Sequence, residues 1–115
     1  MSHKRLDRMT AKPKARARVF AALGNKTRLA LVAKLCSGQP SSITQLAQDS
    51  KLTRQAITKH LRVLERAGIV RSAHAGRERL FEFDPEPIAG VKEYLDLVSE
   101  QWDHVLSRLK SFVEK

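Results

Sequence analysis

Residues 42–70 constrain the fold of this chain more than any other segment. Ser42 and Gln45 form an S-x-x-Q capping box, which predicts the start of a short helix. After a polar interruption, Thr53 is a suitable N-cap for a second helix, and Gly68 can end that helix in the left-handed conformation. Two helices joined by so short a turn predict a helix-turn-helix.

The second of these helices has two chemically distinct faces. Ile57, Leu61 and Leu64 repeat at steps of four and three, the spacing of a buried stripe. Arginine and lysine can pair with guanine edges, glutamine can pair with adenine, and threonine can donate, accept or touch a methyl group. A face that served solubility alone would mix charges of both signs, so this one favours insertion into a DNA major groove. The opposite face carries Arg54, Gln55, Thr58, Lys59 and Arg62.

Two short runs after this helix predict a β-hairpin. Residues 69–75 and 77–83 flank Gly76, and Phe81 and Phe83 are predicted to lie buried in the second strand. A hairpin beside a reading helix is a wing, whose tip can reach a flanking phosphate or the minor groove. Its cationic or titratable side chains are Arg71, His74, Arg77 and Arg79.

Several strings between residues 19 and 85 resemble the ArsR family of bacterial winged-helix transcription regulators. They are Ala22-Leu-Gly-Asn-Lys-Thr-Arg-Leu-Ala-Leu-Val32, Leu46-Ala47, Lys59-His-Leu-Arg-Val-Leu-Glu-Arg-Ala-Gly-Ile-Val70 and Gly76-Arg-Glu-Arg-Leu-Phe-Glu-Phe-Asp-Pro85. The resemblance implies a homodimeric DNA-binding repressor. By position it implies that the base-reading residues are Arg54, Gln55, Thr58 and Lys59. The residues predicted to contact the DNA backbone are Arg62, Arg77 and Arg79.

The chain departs from the metal-sensing members of that family. Those members use a Cys-x-Cys pair in the helix before the turn, or an Asp-x-His pattern with a later histidine pair in the last helix. Residues 43–49 contain no cysteine, and the last helix has only His104. We therefore predict no metal site and no cofactor, the alternative being a site that two chains share through Asp103 and His104. Cys36, the only cysteine, is predicted to be a small buried hydrophobe rather than a redox sensor.

Charge is distributed unevenly along the 115 residues, a length that suits one domain. Residues 1–83 carry 18 basic and 5 acidic side chains, a net charge of +13. Residues 84–115 carry 4 basic and 7 acidic side chains, a net charge of −3. The first part suits a polyanion and the second suits another protein. The basic segment 1–18 is either a frayed tail or an arm that follows the phosphate backbone.

Residues 88–115 predict one long helix with an apolar seam. From Ile88 to Phe112 the apolar side chains recur at alternating steps of three and four, over nearly four heptads. Charged residues interrupt the segment too often for a membrane span. The helix could pack on its own domain, but its length favours dimerisation as well. The predicted interface comprises Leu95, Val98, Trp102, Val105, Leu109 and Phe112.

These patterns together predict a mainly α fold with a small β-hairpin. We expect a basic tail over residues 1–18, a winged helix-turn-helix domain over residues 19–87 and a dimerisation helix over residues 88–115. The absence of a phosphate loop or a nucleophile elbow argues against an enzyme. The predicted function is that of a cytoplasmic, sequence-specific repressor that binds double-stranded DNA at an inverted repeat. Its regulation is expected to come from its level of synthesis, from an organic effector or from a partner protein. The alternative is a winged helix that binds RNA or another protein.

Overall fold

A computed structural model describes residues 13–48 and 50–114. Three antiparallel strands form one sheet in the order β1-β3-β2. This confirms the predicted mainly α fold with a wing, and adds the short strand β1, which the sequence did not predict. In chain order the elements are α1 (Pro13–Leu23), α2 (Lys26–Ser37), β1 (Ser41–Ser42), α3 (Ile43–Gln48), α4 (Arg54–Arg66), β2 (Val70–Ala75), β3 (Glu78–Phe83) and α5 (Pro85–Val113).

Local side-chain chemistry sets the ends of the helices. The side chains of Asn25 and Thr53 each accept a hydrogen bond, at 3.1 Å, from the backbone N–H three residues on, and so cap α2 and α4. Gly68 follows α4 with a φ of +79°, and its N–H donates to the carbonyl of Glu65 at 2.9 Å. Both predicted ends of the reading helix are therefore confirmed.

The hydrophobic core forms around the inner face of α4. Ile57, Leu61 and Leu64 are each 0% exposed, and Ile69 follows them into the core. Burial of a side chain of this size contributes about 1.5–3 kcal/mol before conformational entropy is subtracted. Because these residues fix the rotation of α4, they also fix which of its side chains face solvent. The other elements add Val19, Ala22, Leu31, Leu35, Leu46, Phe81 and Val91.

The first and last helices begin earlier than the sequence predicted. Residues 13–18, predicted to be the end of the basic tail, are helical and belong to α1. Helix α5 begins at Pro85, where the side chain of Asp84 accepts from the N–H of Glu86 at 3.0 Å. Proline suits the first turn of a helix, because proline lacks a backbone N–H and an N–H at that position would have no partner within the helix. Residues 1–12, which hold the rest of the predicted basic tail, lie outside the described residues.

Helix α5 has two parts with different surroundings. Near its start Val91 is 5% exposed and Ile88 packs against the core. Further along, Trp102 is 60% exposed and Phe112 is 78% exposed. The molecule measures 66 × 29 × 21 Å, the elongated shape expected of a small domain that bears a 29-residue helix. The expectation that α5 packs on its own domain therefore holds only for its first turns.

No helix in residues 13–48 or 50–114 is both long and apolar enough to cross a membrane.

Candidate nucleic-acid interface

Helix α4 presents its polar side chains opposite its buried stripe. At 100° per residue, Gln55, Lys59 and Arg62 fall within about 60° of arc, and all three are exposed. Arg54 is exposed and Thr58 half-buried; they lie about 80° and about 40° beyond one edge of this arc. We call these five residues the outward face of α4. Each sequence-predicted residue of α4 thus lies on one side of a rigid helix, although the assigned roles stay predictions.

Thr58 is more restricted than its residue type suggests. Its hydroxyl donates to the backbone carbonyl of Arg54 at 2.8 Å. A hydroxyl has one proton to give, so only its lone pairs and its methyl group remain for another partner. At a base edge Thr58 could accept from an amino group or touch a thymine methyl.

A chain of hydrogen bonds joins the wing, which consists of β2 and β3, to the last turn of α4. The Ser72 hydroxyl donates to Glu65 Oε2 at 2.8 Å, and Arg79 Nη1 donates to the same hydroxyl at 2.6 Å. The other terminal nitrogen of Arg79 lies 3.1 Å from His74 Nε2. We call Glu65, Ser72 and Arg79 the wing relay. It holds Arg79 in one place relative to the outward face.

The arginines of the wing differ in how much charge they offer to a ligand. Arg71 Nε donates to Glu82 at 2.7 Å, and Arg71 Nη1 lies 3.8 Å from Asp84. The hydrogen bond to Glu82 and the charges of both carboxylates raise the pKa of Arg71 above its ordinary value. Arg79 instead contacts a hydroxyl and an imidazole, and Arg77 is exposed at the hairpin turn. Arg77 and Arg79 therefore suit phosphate contacts better than Arg71 does.

Arg66, Ser72 and Glu65 are residues of this region that sequence reasoning missed. Arg66 continues the row Lys59, Arg62 at steps of three and four, so helical periodicity could have found it. The wing relay had no such signal, because it joins residues whose distance depends on how the hairpin docks on α4.

Cys36 is exposed, so the prediction that it is buried was wrong. The inner face of α2 is set by Leu31 and Leu35. Cys36 follows Leu35 by one residue, about 100° around the helix, and so turns away from the core. Among the described residues, no group of three or more histidine, cysteine, aspartate or glutamate side chains could hold a metal ion.

The far part of α5 exposes large apolar side chains along one helix. Where α5 meets α1, Phe20 and Tyr94 pack edge to face with ring centroids 6.1 Å apart. Beyond that contact no large apolar side chain of α5 belongs to the buried core. The exposed large side chains, which we call the apolar face of α5, are Leu95, Trp102, Leu106, Leu109, Phe112 and Val113. Of the predicted interface residues, Val98 and Val105 are partly buried.

Comparisons with known proteins agree on the kind of fold and domain. A family model described as a helix-turn-helix domain matches residues 14–73. The HTH-type transcriptional regulator Rv2034 of Mycobacterium tuberculosis is 37% identical over 79 residues, which is 69% of this chain and 73% of that protein. The uncharacterized HTH-type transcriptional regulator YuzN of Bacillus subtilis is 38% identical over 79 residues, 64% of this chain and 86% of that protein.

A solved structure matches over most of both chains. It is that of an ArsR-like transcriptional regulator from Rhodococcus sp. RHA1, which superposes with a TM-score of 0.78 at 32% sequence identity. The match covers 88% of this chain and 92% of the other.

Proposed function

Because this chain belongs to the ArsR family of winged helix-turn-helix transcription regulators, we propose that it is a homodimeric repressor that binds an inverted repeat in double-stranded DNA. That it is a DNA-binding regulator and not an enzyme follows from the family. The dimer, the repeat and the direction of regulation are the proposal. A cytoplasmic location is also part of the proposal, since the chromosome of a prokaryote lies in the cytoplasm.

The observation that carries the proposal is the outward face of α4. On the opposite side of the helix Ile57, Leu61 and Leu64 are each 0% exposed, so α4 cannot turn its polar side chains inward. In the proposal Arg54, Gln55, Thr58 and Lys59 contact base edges in the major groove. The arginines assigned to phosphates are Arg62 on α4 and Arg77 and Arg79 on the wing.

The apolar face of α5 supports a dimer. Trp102, Leu106 and Leu109 are each more than half exposed, and large aromatic side chains are frequent anchors of protein interfaces. Two chains that pair through this face around a two-fold axis would carry two reading helices. We propose that their half-sites lie about one helical turn, roughly 34 Å, apart.

An RNA-binding winged helix is a weaker alternative. Sequence-specific RNA recognition relies on aromatic side chains on which unstacked bases can lie. Phe81 is only 5% exposed and Phe83 is packed against the core, so neither strand aromatic offers an open ring. Tyr94 is already covered by Phe20 and by the guanidinium of Arg16, 4.4 Å from its ring centroid. The aromatic side chains that are well exposed, Trp102 and Phe112, lie on the apolar face of α5 and not on the outward face of α4 or on the wing.

Selection of bound fragments from a genomic DNA library tests the proposed function. We expect the wild-type protein to enrich one inverted repeat at moderate salt. The Gln55→Ala variant should lose that enrichment, whereas Lys34→Ala, a charge change on the exposed side of α2, should retain it. Binding without any enriched sequence would contradict the proposal, and so would enrichment of a single half-site by a monomer.

A further inference from the structure

A cavity of about 570 Å³ lies between α1, the C-terminal end of α4 and the first turns of α5. Its size falls within the range of about 300–1,000 Å³ that is usual for small-molecule sites. Val19, Val91 and Leu97 supply apolar walls, together with Tyr94. Gly90 of α5 also lines the cavity, and a Cβ added there would meet none of the described residues within 4 Å.

The border of the cavity is cationic. Arg18 and Arg66 line it and also line a neighbouring depression of about 590 Å³, which they share with Arg28. None of the described residues that line the depression is acidic. The described lining of the cavity holds three arginines, Arg16, Arg18 and Arg66, against two glutamates, Glu86 and Glu93, so its charged side chains carry a net positive charge. An anionic group therefore fits best where the two spaces meet.

We propose that this cavity binds a small organic carboxylate with an apolar body, and that this ligand is an effector of DNA binding. The carboxylate is held by Arg18 and Arg66, since guanidinium groups match carboxylates in a planar, two-point geometry. The apolar body lies against Val19, Val91 and Leu97. The effector role rests on the proposed function, whereas the binding site does not.

The cavity connects the two parts of the molecule on which repression would depend. Arg66, Ala67 and Gly68 belong to the last turn and the C-terminal end of α4, and Gln55 lies about 16 Å away along the same rigid helix. The facing wall is the start of α5, whose far part is the proposed dimer interface. A ligand held between them favours one relative position of α4 and α5. It changes DNA affinity to the extent that it binds that position better.

Calorimetric titration of the full chain with three carboxylates tests the site: octanoate, 2-naphthoate and indole-3-acetate. We expect saturable binding of at least one, and binding of its uncharged amide to be at least about tenfold weaker, because an ionised hydrogen bond is lost. Arg66→Gln should weaken carboxylate binding by a similar factor. Lys34→Gln, which removes a charge outside the cavity, should leave binding unchanged.

A cavity-filling variant distinguishes binding in this cavity from binding to the exposed surface of α5. Gly90→Leu places a side chain in the open space and suits a helix better than glycine, so the variant should fold and lose carboxylate binding. Ala89→Leu adds the same side chain one residue away, at an exposed position outside the cavity lining, and should bind normally. Equal binding by the Gly90→Leu variant and the wild type would overturn the site. The absence of saturable binding by all three carboxylates at millimolar concentration would also overturn it.

A DNA titration distinguishes the effector role from the proposed function. With the selected inverted repeat, a carboxylate that binds should change DNA affinity about fivefold or more, and the DNA should change carboxylate affinity by the same factor. An unchanged DNA affinity in the wild type, with carboxylate binding intact, would overturn the effector role alone. Failure to bind DNA specifically without any carboxylate would instead contradict the proposed function.

Discussion

Arg54 and Gln55 occupy the first turn of α4, whereas Arg79 lies on the wing. We predict that Arg54→Ala and Gln55→Ala each cost about 1–3 kcal/mol on the preferred sequence and less on random DNA, because base-edge contacts are lost. Arg79→Ala should weaken binding to all sequences alike, since phosphates are the same everywhere. Fluorescence anisotropy with specific and random duplexes measures both effects. Equal losses on the two duplexes for Arg54→Ala and Gln55→Ala would contradict their assigned roles.

We assign no DNA contact to Ser72, yet we predict that Ser72→Ala weakens DNA binding. The substitution removes the hydroxyl that joins Glu65 to Arg79 at 2.8 Å and 2.6 Å, so Arg79 must be ordered at the moment of binding. A net hydrogen bond contributes about 0.5–1.5 kcal/mol, and we expect a loss of that size on specific and random duplexes. Ser99→Ala, on the exposed surface of α5, is the matched control. An unchanged affinity for Ser72→Ala would mean that the wing relay does not position Arg79.

Local signals predicted the residues that cap and line the helices, but not those that join one element to another. Ser42 and Thr53 were predictable as caps because a cap depends only on the next three residues. Ser72 was not, because its partners lie on α4 and β3 and meet only once the hairpin has docked. Strand β1 escaped prediction for the same reason, since its two residues are a strand only by pairing with Leu80 and Phe81.

Among the elements, α4 contributes most to the core. We predict that Leu61→Ala lowers the free energy of unfolding by about 2–5 kcal/mol, because it leaves a cavity at a position with 0% exposure. Leu29→Ala, the same change at a 52% exposed position on α2, should have a much smaller effect. Urea denaturation followed by circular dichroism makes the comparison. Similar losses for both variants would contradict the description of the core.

For Trp102 on α5 we expect truncation to affect dimer association rather than the stability of the single chain. A buried tryptophan would cost about 3–5 kcal/mol on truncation to alanine, but in the single chain Trp102 is 60% exposed. We predict that Trp102→Ala scarcely changes unfolding at high dilution and markedly weakens dimer association. Sedimentation equilibrium over a range of concentrations measures the second effect, with Lys92→Ala on the same helix as control. A wild-type protein that remains monomeric at high micromolar concentration would refute the proposed interface.

At the scale of the whole molecule, a dimer doubles every DNA contact. The logarithm of affinity falls with the logarithm of salt concentration by about 0.9 per neutralised phosphate. If two chains bind one inverted repeat, Arg79→Ala should make this slope shallower by about two, whereas a bound monomer would change it by about one. Salt titrations of the wild type and of the variant give the difference. A change of about one would favour a monomer on the DNA and contradict the two-fold arrangement.

Ser42 belongs at once to the sheet and to the first helix of the helix-turn-helix. It pairs with Leu80 in strand β3 and is 4% exposed. Its hydroxyl also accepts from the N–H of Gln45 at 3.1 Å, while its own N–H donates to the Gln45 side chain at 2.8 Å. Ser42 therefore cannot leave the sheet without also removing the cap of α3. We expect the amide protons of α3 and of β3 to exchange with solvent at matching rates, as one cooperatively opening unit.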